Sequence, residues 1–382
     1  MIFRILEDQF AQKAREAKDA DRRFMELALA LGRREQGRTW PNPAVGAVIV
    51  KDGIIVGRGW TQPGGRPHGE PEALQRAGEA ARGATLYVTL EPCSHFGKSP
   101  PCADAVIAAG IKRVVAAIED PNPEVAGQGH ARLRAAGINV DVGLCAAEAA
   151  FDHSGHFRRI RDNRPHVILK LAVSPDGKIG AAGGKPLAIT GEAVRDRVHL
   201  LRAQSDAILV GIGTVLADDP QLNCRLPGME ARSPVRIVLD RNLRIPATSQ
   251  LVRSARETPL WVVSSELAEA AAATRLGAAG AQIIRIPHAS ASGLDLPSVL
   301  HALAGKGITR LMVEGGSRVA ASFIAADLVD EIWLFRGAEA VGLGGIDALD
   351  ALPLSKITQS QAYKVHASET FDKDTLTIYE RA

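Results

Sequence analysis

PHGE (67–70) and LEPCSHFGKSPPC (90–102) decide how the first part of this chain folds and what it holds. Together they supply one imidazole, His68, two thiols, Cys93 and Cys102, and a carboxylate, Glu70, two residues past the imidazole. One nitrogen and two sulfurs make three protein ligands for a tetrahedral zinc, with the fourth position left to water. Zinc lowers the pKa of that water to about 7, so hydroxide is available at neutral pH to attack a ring carbon bearing an amino group. Glu70 is then expected to take the water proton and deliver it to the ring nitrogen and the departing ammonia. The alternative is a closed structural zinc with His95 as fourth ligand. Pro71 suits the first position of a helix, which puts Glu70 at a helix entrance. Pro92 is likewise expected to open a helix at Cys93, where a helix N-terminus favours the thiolate.

Outward from these motifs the chain alternates strands and helices. Phe24, Leu27, Ala28 and Leu31 have the spacing of an amphipathic helix that starts at Asp21 and ends near Gly37. Residues 1–20 read as a polar extension, loosely helical or without order. AVGAVIV (44–50) and IIVGRGW (54–60) flank Lys51-Asp52-Gly53, a hairpin signal. A helix from about Pro71, the strand ATLYVTL (84–90), a helix at 102–109 closed by Gly110, and the strands KRVVAAI (112–118) and INVDV (138–142) follow. This predicts a first domain over residues 21–150, an α/β layer with helices on both faces. FDHSGHFRRIRDNRP (151–165) is charged, poorly periodic and ends in proline, and reads as a linker. The alternation restarts with HVILKLAVS, a helix through Val194–Gln204, AILVGIG, PVRIVLD, TPLWVVSS, AQIIRIP, RLMVEGG, EIWLFRG and TLTIYE, a second α/β domain over residues 166–382.

Composition bounds the class. With 382 residues the chain suits two domains, and 46% hydrophobic and 23% charged residues are the range of a folded globular protein. A formal net charge of +3 without a Lys/Arg block argues against a nucleic-acid partner and fits small anionic ligands. No apolar run approaches the roughly 20 residues of a membrane helix, and charges interrupt the N-terminal apolar residues, so neither membrane nor signal peptide is expected. A cytoplasmic location follows. Four cysteines are too few for a disulfide scaffold. The oligomeric state stays open, with a homo-oligomer packed through the Ala-rich helices as one option.

The order H-x-E then P-C…C is the signature of zinc nucleobase deaminases, here with eight residues between the cysteines. PNPAVGAVIV (41–50), PHGE, LEPCSHFGKSPPC and EDPNPEVAGQG (119–129) resemble the deaminase half of the riboflavin-biosynthesis bifunctional deaminase–reductases, whose long loop between cysteines sets them apart from cytidine and tRNA adenosine deaminases. LKLAVSPDGKIG (169–180), HLLRAQSDAILVGIGTVLADDPQLNCR (199–225), PVRIVLD (234–240) and VEGGSRVAASF (313–323) resemble the reductase half. The resemblance runs from Asp21 to the C-terminus. It implies a cytidine-deaminase-like three-layer α/β/α domain followed by a dihydrofolate-reductase-like α/β domain. It also implies deamination of a diaminohydroxy-pyrimidinone carrying a phosphoribosylamino group, then reduction of its ribosyl to a ribityl chain with NADPH.

Carried over by motif, Asn42, His95, Lys98, Ser99, Asp120 and Asn122 line the deaminase pocket. Lys98 and Ser99 suit a phosphate, and Asn42 suits pyrimidine edges. In the reductase half Arg202, Leu222, Arg225 and Glu314 line the substrate, with the arginines suited to its phosphate. Ala172, Thr214, Asp218, Gly316, Ser317, Arg318, Val319, Ala320, Ala321 and Ser322 line the cofactor, and Gly315-Gly316 approach its phosphates at a helix start. Lys170 is a further polar contact. The runs GIGTVLADD (211–219) and EGGSRVA (314–320) do not match the G-x-G-x-x-G fingerprint of dinucleotide folds.

The chain departs from the family in several places. Gly69 replaces an alanine, and Thr61 replaces a histidine near the substrate. Pro186 and Ala188 replace a serine and a tryptophan, and Arg241 replaces a serine and suits a 2′-phosphate. Glu339 lies where a basic residue is common. The losses at Pro186 and Ala188 motivate an alternative in which the second half is a non-catalytic binding or assembly module. A nucleic-acid-editing deaminase lacks a basic surface signature and leaves the second half unexplained.

Overall fold

The structure, a computed structural model, describes residues 2–97, 99–181, 187–287, 289–290 and 293–382, with side chains from residue 18 onward except those of 289–290. The chain divides into two compact units, Met1–Asp162 and Asn163–Ala382.

In the first unit, α1 (Ile2–Arg33) precedes the hairpin β1 (Gly46–Lys51) and β2 (Ile54–Trp60), then α2 (Gly69–Ala77) and β3 (Thr85–Val88). There follow α3 (Cys102–Ala108), β4 (Arg113–Ala116), α4 (Gln128–Ala135), β5 (Asn139–Val142), α5 (Ala146–Asp152) and α6 (Ser154–Asp162). The sheet order is β2-β1-β3-β4-β5, antiparallel through β3 and parallel from β3 to β5. Successive strand residues point to opposite faces, and both faces are covered. Val48, Val50, Tyr87 and Val115 pack with Met25 and Leu29 of α1 and Ala149 of α5. Ala47, Ile49, Leu86 and Val114 pack with Ala73 of α2, Val106 of α3, Leu133 of α4 and Phe157 of α6. This is the three-layer arrangement expected of the first half.

Residues 2–20, read as an extension loosely helical or without order, are helical and form the first part of α1. One expectation is corrected. Residues 151–162 are no linker: α6 belongs to the first unit and buries Gly155 and Phe157.

The second unit contains β6 (His166–Val173), β7 (Lys178–Gly180), α7 (Glu192–Ala203), β8 (Ala207–Gly211), α8 (Ile212–Asp218), β9 (Val235–Leu239) and α9 (Gln250–Arg253). It continues with β10 (Leu260–Ser265), α10 (Ala270–Ala278), β11 (Gln282–Ile286), β12 (Ala289–Ser290), β13 (Gly293–Leu294), α11 (Leu296–Gly305) and β14 (Arg310–Val313). It closes with α12 (Ser317–Ala325), β15 (Glu331–Arg336), β16 (Ile346–Asp347), α13 (Ser355–Thr358), β17 (Tyr363–Phe371) and β18 (Asp374–Arg381). The main sheet runs β11-β10-β9-β8-β14-β6-β15-β18-β17, parallel from β11 to β15 and antiparallel over the last two strands. Ligands of such sheets bind outside the carboxyl ends of the parallel strands, and the large cavities of this unit open there. Among the described residues no helix is long and apolar enough to cross a membrane.

Candidate active site

In the first unit α2 rests directly on β2. A Cβ at Gly59 would lie 2.0 Å from the carbonyl oxygen of Gly69, and one at Gly57 would lie 2.3 Å from that of Ala73. Glycine at both positions therefore sets the helix depth and with it His68, the residue immediately before α2. Gly69 itself has no room for a methyl group, since a Cβ there would lie 2.8 Å from the carbonyl oxygen of Val45. Glu70 is the second residue of α2 and is 3% exposed. Pro71 is the third residue instead of the first, still in the turn whose N–H groups lack helical partners.

The helix start expected at Cys93 is found nine residues later, at Cys102. Cys93 stands on irregular chain after β3, and its Sγ accepts the backbone N–H of Cys102 at 3.3 Å. His68 Nδ1 lies 3.3 Å from Cys102 Sγ and 3.8 Å from Cys93 Sγ. All three donor atoms fall within 4.8 Å of one another. A tetrahedral ion with bonds of ~2.0–2.3 Å needs donor edges of about 3.6 Å, so the constellation fits zinc in both chemistry and size. Among the described residues no fourth ligand atom joins the group. His95 sits exposed on the loop between the cysteines, which leaves the closed structural site without its fourth ligand.

The electrostatics match. The hydrogen bond between the thiols lowers the Cys93 pKa and raises that of Cys102, so the pair shares one proton that a cation displaces. Burial pushes the Glu70 carboxyl up to about 7, against the pull of His68. A carboxyl there can both take and return a proton.

The substrate residues carried over by motif surround this centre unevenly. Asn42 Nδ2 donates to the carbonyl of Gly65 at 2.8 Å, which fixes its amide. Ser99 Oγ accepts from Arg66 Nη1, His95 is exposed, and Lys98 lies outside the described residues. Asp120 is 7% exposed, and both its oxygens lie 3.1 Å from His156 Nε2. Burial opposes ionisation of Asp120, yet the bond to His156 brings its pKa below the usual value. Asn122 N donates to Asp120 Oδ1 and its side-chain oxygen caps Glu124 N. Thr61 faces no substrate: its hydroxyl is 1% exposed and exchanges hydrogen bonds with the backbone of Val45.

Sequence reasoning missed two residues here. His156 lies in the stretch taken as a linker. Glu91, 3% exposed, accepts the backbone N–H of Asp120, Gly127 and His130 at 3.3, 2.9 and 3.2 Å. Glu91, Glu119 and His130 also bring three ligand atoms within 4.8 Å, but these backbone donors already engage the Glu91 carboxylate.

In the second unit a cleft of about 470 Å³ is lined by Lys170, Ala172, Arg195, Arg202, Thr214, Asp218, Leu222, Arg225 and Glu314. Arg202 Nη2 and Nε donate to Glu314 at 2.9 and 3.1 Å, and Lys170 Nζ lies 3.4 Å from the other carboxylate oxygen. Burial would raise the Glu314 pKa, but these cations hold it at about 2. Arg202 also donates to the carbonyl of Asn223, so much of its charge is already matched. Arg225 differs: burial and the charges of Arg202 and Arg195 depress its pKa, so an incoming anion relieves a repulsion. Arg195 was not anticipated, although it lies seven residues before Arg202, on the same face of α7.

A second cavity, of about 700 Å³, is lined by Gly213, Thr214, Arg241, Asn242, Arg244 and the start of α12. Gly316, Ser317, Arg318, Val319 and Ser322 line it as expected, whereas Ala320 is fully buried and neither it nor Ala321 reaches the cavity. Ala172 and Asp218 line the 470 Å³ cleft, together with Thr214 and Gly316. A Cβ at Gly315 would lie 2.7 Å from Val319 Cβ, and one at Gly211 would lie 2.8 Å from Val319 Cγ2. Glycine at these two positions lets the first turn of α12 pack closely. Pro186 lies outside the described residues, and Ala188 lines the 470 Å³ cleft. Glu339 lines a further cavity of about 440 Å³.

The chain matches the family models "RibD C-terminal domain" over residues 165–377 and "Cytidine and deoxycytidylate deaminase zinc-binding region" over residues 18–118. It is 40% identical over 364 residues to riboflavin biosynthesis protein RibD of Aquifex aeolicus, covering 95% of this chain and 99% of that protein. To the Escherichia coli RibD it is 42% identical over 348 residues, 87% of this chain and 93% of that one. Among solved structures, Acinetobacter baumannii RibD superposes with a TM-score of 0.83 at 34% identity, over 96% of this chain and 99% of its own. A Thermotoga maritima diaminohydroxyphosphoribosylaminopyrimidine deaminase/5-amino-6-(5-phosphoribosylamino)uracil reductase gives 0.83 at 34%, over 96% and 100%. The chain belongs to the RibD family of riboflavin biosynthesis, bifunctional enzymes with a zinc-binding deaminase domain and an NADPH-using reductase domain.

Proposed function

We propose that residues 1–162 deaminate 2,5-diamino-6-(5-phosphoribosylamino)pyrimidin-4(3H)-one and that residues 163–382 then reduce its ribosyl group to ribityl. The observation that carries the first step is the convergence of His68, Cys93 and Cys102 with a buried carboxyl, Glu70, two residues from the imidazole. When bound there, zinc supplies a water whose pKa is near 7. Glu70 takes a proton as water adds to the amino-bearing ring carbon and gives it to the ring nitrogen, then takes the proton of the new hydroxyl and gives it to the departing amine, so that the C–N bond breaks, ammonia leaves and a carbonyl remains. Asn42, held by Gly65, reads the pyrimidine edge, and Asp120 and Asn122 close the other side. The thiolates need a reducing compartment, and with all four cysteines free the cytoplasm is the setting that fits.

In the second unit NADPH supplies the hydride to the sugar carbon. Arg195 and Arg225 hold the substrate phosphate, while Glu314, kept ionised by Arg202 and Lys170, accepts hydrogen bonds from sugar hydroxyls. Thr214 and the start of α12 bind the cofactor phosphates through Gly316, Ser317 and Arg318.

Purified chain with zinc and NADPH should release one ammonia per substrate and then oxidise one NADPH. Removal of zinc by a chelator, or Cys102→Ser, should abolish ammonia release yet leave NADPH oxidation on the already deaminated compound. Retained ammonia release in the metal-free chain would refute the proposed centre.

Cofactor choice follows from Arg241 and Arg244, which line the large cavity beyond β9. Each charge-assisted hydrogen bond to a 2′-phosphate is worth ~1.5–3 kcal/mol. Replacing both arginines by alanine should therefore raise the KM for NADPH about 100-fold or more and leave that for NADH unchanged. Equal losses with both nucleotides would assign the arginines a structural role.

A further inference from the structure

We propose that Arg66 reads the phosphate of the deaminase substrate, adding an anion-binding side chain to those the family motifs mark. The inference rests on the phosphorylated pyrimidine proposed above.

Arg66 is half-buried and stands two residues before His68. Its guanidinium crosses to the loop between the two cysteine ligands. There Nη1 donates to Ser99 Oγ, and Nη2 lies 3.4 Å from the point a Cβ of Gly97 would occupy. It is thus held at the mouth of the site, between the segment carrying the imidazole and the segment carrying both sulfurs.

Two further observations give this placement chemical meaning. Arg38 and Arg76 in the same unit pair with Glu35 and Glu72, but among the described residues no carboxylate pairs with Arg66, whose one side-chain partner is a neutral hydroxyl. An unmatched guanidinium beside a hydroxyl presents a fork of donors suited to phosphate oxygens. The turn before Arg66 also fixes it relative to the ring-binding side. Gly65 adopts a φ of +83°, its carbonyl holds Asn42 Nδ2, and a Cβ on it would lie 2.5 Å from that nitrogen. One tight turn therefore places the reader of the pyrimidine edge and the cation side by side, as a substrate with a ring at one end and a phosphate at the other requires.

The test uses the full zinc-loaded chain and two substrates, the phosphoribosylamino-pyrimidine and its dephosphorylated counterpart. With Arg66→Ala the KM for the phosphorylated compound should rise about 10- to 100-fold, the loss of a charge-assisted contact. The kcat, the zinc content and the KM for the dephosphorylated compound should hold. Arg66→Lys should recover part of the loss, and inorganic phosphate should inhibit the wild-type chain more strongly than the alanine variant. Equal losses on both substrates would make Arg66 a clamp on the loop and overturn the inference, as would no change on either. A wild-type chain that releases ammonia from neither compound would overturn the substrate reading itself, and this inference with it.

Discussion

Glu70→Gln should lower ammonia release by ~10²- to 10⁴-fold, the span that a positioned proton shuttle contributes. Zinc content should stay unchanged, because the three ligand atoms belong to other residues. Glutamine is nearly isosteric and neutral, and the carboxyl it replaces is 3% exposed with its pKa pushed up to about 7 by burial. Removing a charge that burial disfavours gives no reason for the fold to weaken. The variant should therefore melt at or slightly above the wild-type temperature while its first activity is lost and its NADPH oxidation on deaminated substrate persists. Ammonia release within tenfold of wild type would remove Glu70 from the chemistry. Loss of zinc would show that it shapes the metal centre.

Arg202→Met should damage the second unit in two ways at once. Glu314 loses its bidentate partner and keeps only Lys170, at 3.4 Å. Truncating one member of a buried, hydrogen-bonded pair costs about 2–5 kcal/mol, so the kcat/KM for NADPH oxidation should drop ~30-fold or more. A stability loss of ~2–3 kcal/mol should lower the melting temperature of this unit by about 5–10 °C. The pH dependence carries a definite sign. The folded-state pKa of Glu314 is about 2 against an ordinary 4.5, so its ion pairs stabilise the protein fully above about pH 4.5. That contribution disappears as the pH falls from there toward 2. A depression of this size amounts to on the order of 3 kcal/mol. In Arg202→Met the acid-dependent part of the melting temperature between pH 4.5 and 2.5 should shrink. Identical acid profiles for the two proteins would mean that Arg202 does not hold Glu314 ionised.

Motif chemistry and strand patterning were legible because each leaves a local trace. The ligand types and order at His68, Cys93 and Cys102 follow from what a tetrahedral ion accepts, and Val48, Val50, Leu86 and Val114 read as strands because their alternation is apolar on both faces. What escaped depended on tertiary partners. α6 looked like a linker because its buried positions are Gly155 and Phe157 flanked by histidines, while arginines fill the rest of it. α1 extends through residues 2–20, where Phe3, Leu6, Phe10, Ala14 and Ala17 recur at helical spacing among interspersed charges that hid the pattern, in a stretch rich in Ala, Lys, Glu and Arg, which favour helix. β17 is an edge strand whose polar residues, Lys364, His366 and Ser368, give no burial signal. Arg66, Arg195 and Arg244 belong to no motif, and only the folded chain shows which arginines share a cleft. The helix expected at Cys93 failed because Pro92 permits a helix start without requiring one.

The Glu91 carboxylate has a consequence for how this enzyme can vary. It ties three amides of the 120–130 stretch to a point two residues along the chain from Cys93. Metal capture and the posture of Asp120 are thereby geared together, so that disturbing either displaces both. Insertions within 94–101 can alter what the enzyme admits, whereas a single residue added between Glu91 and Cys93 would uncouple the gear and cost both at once.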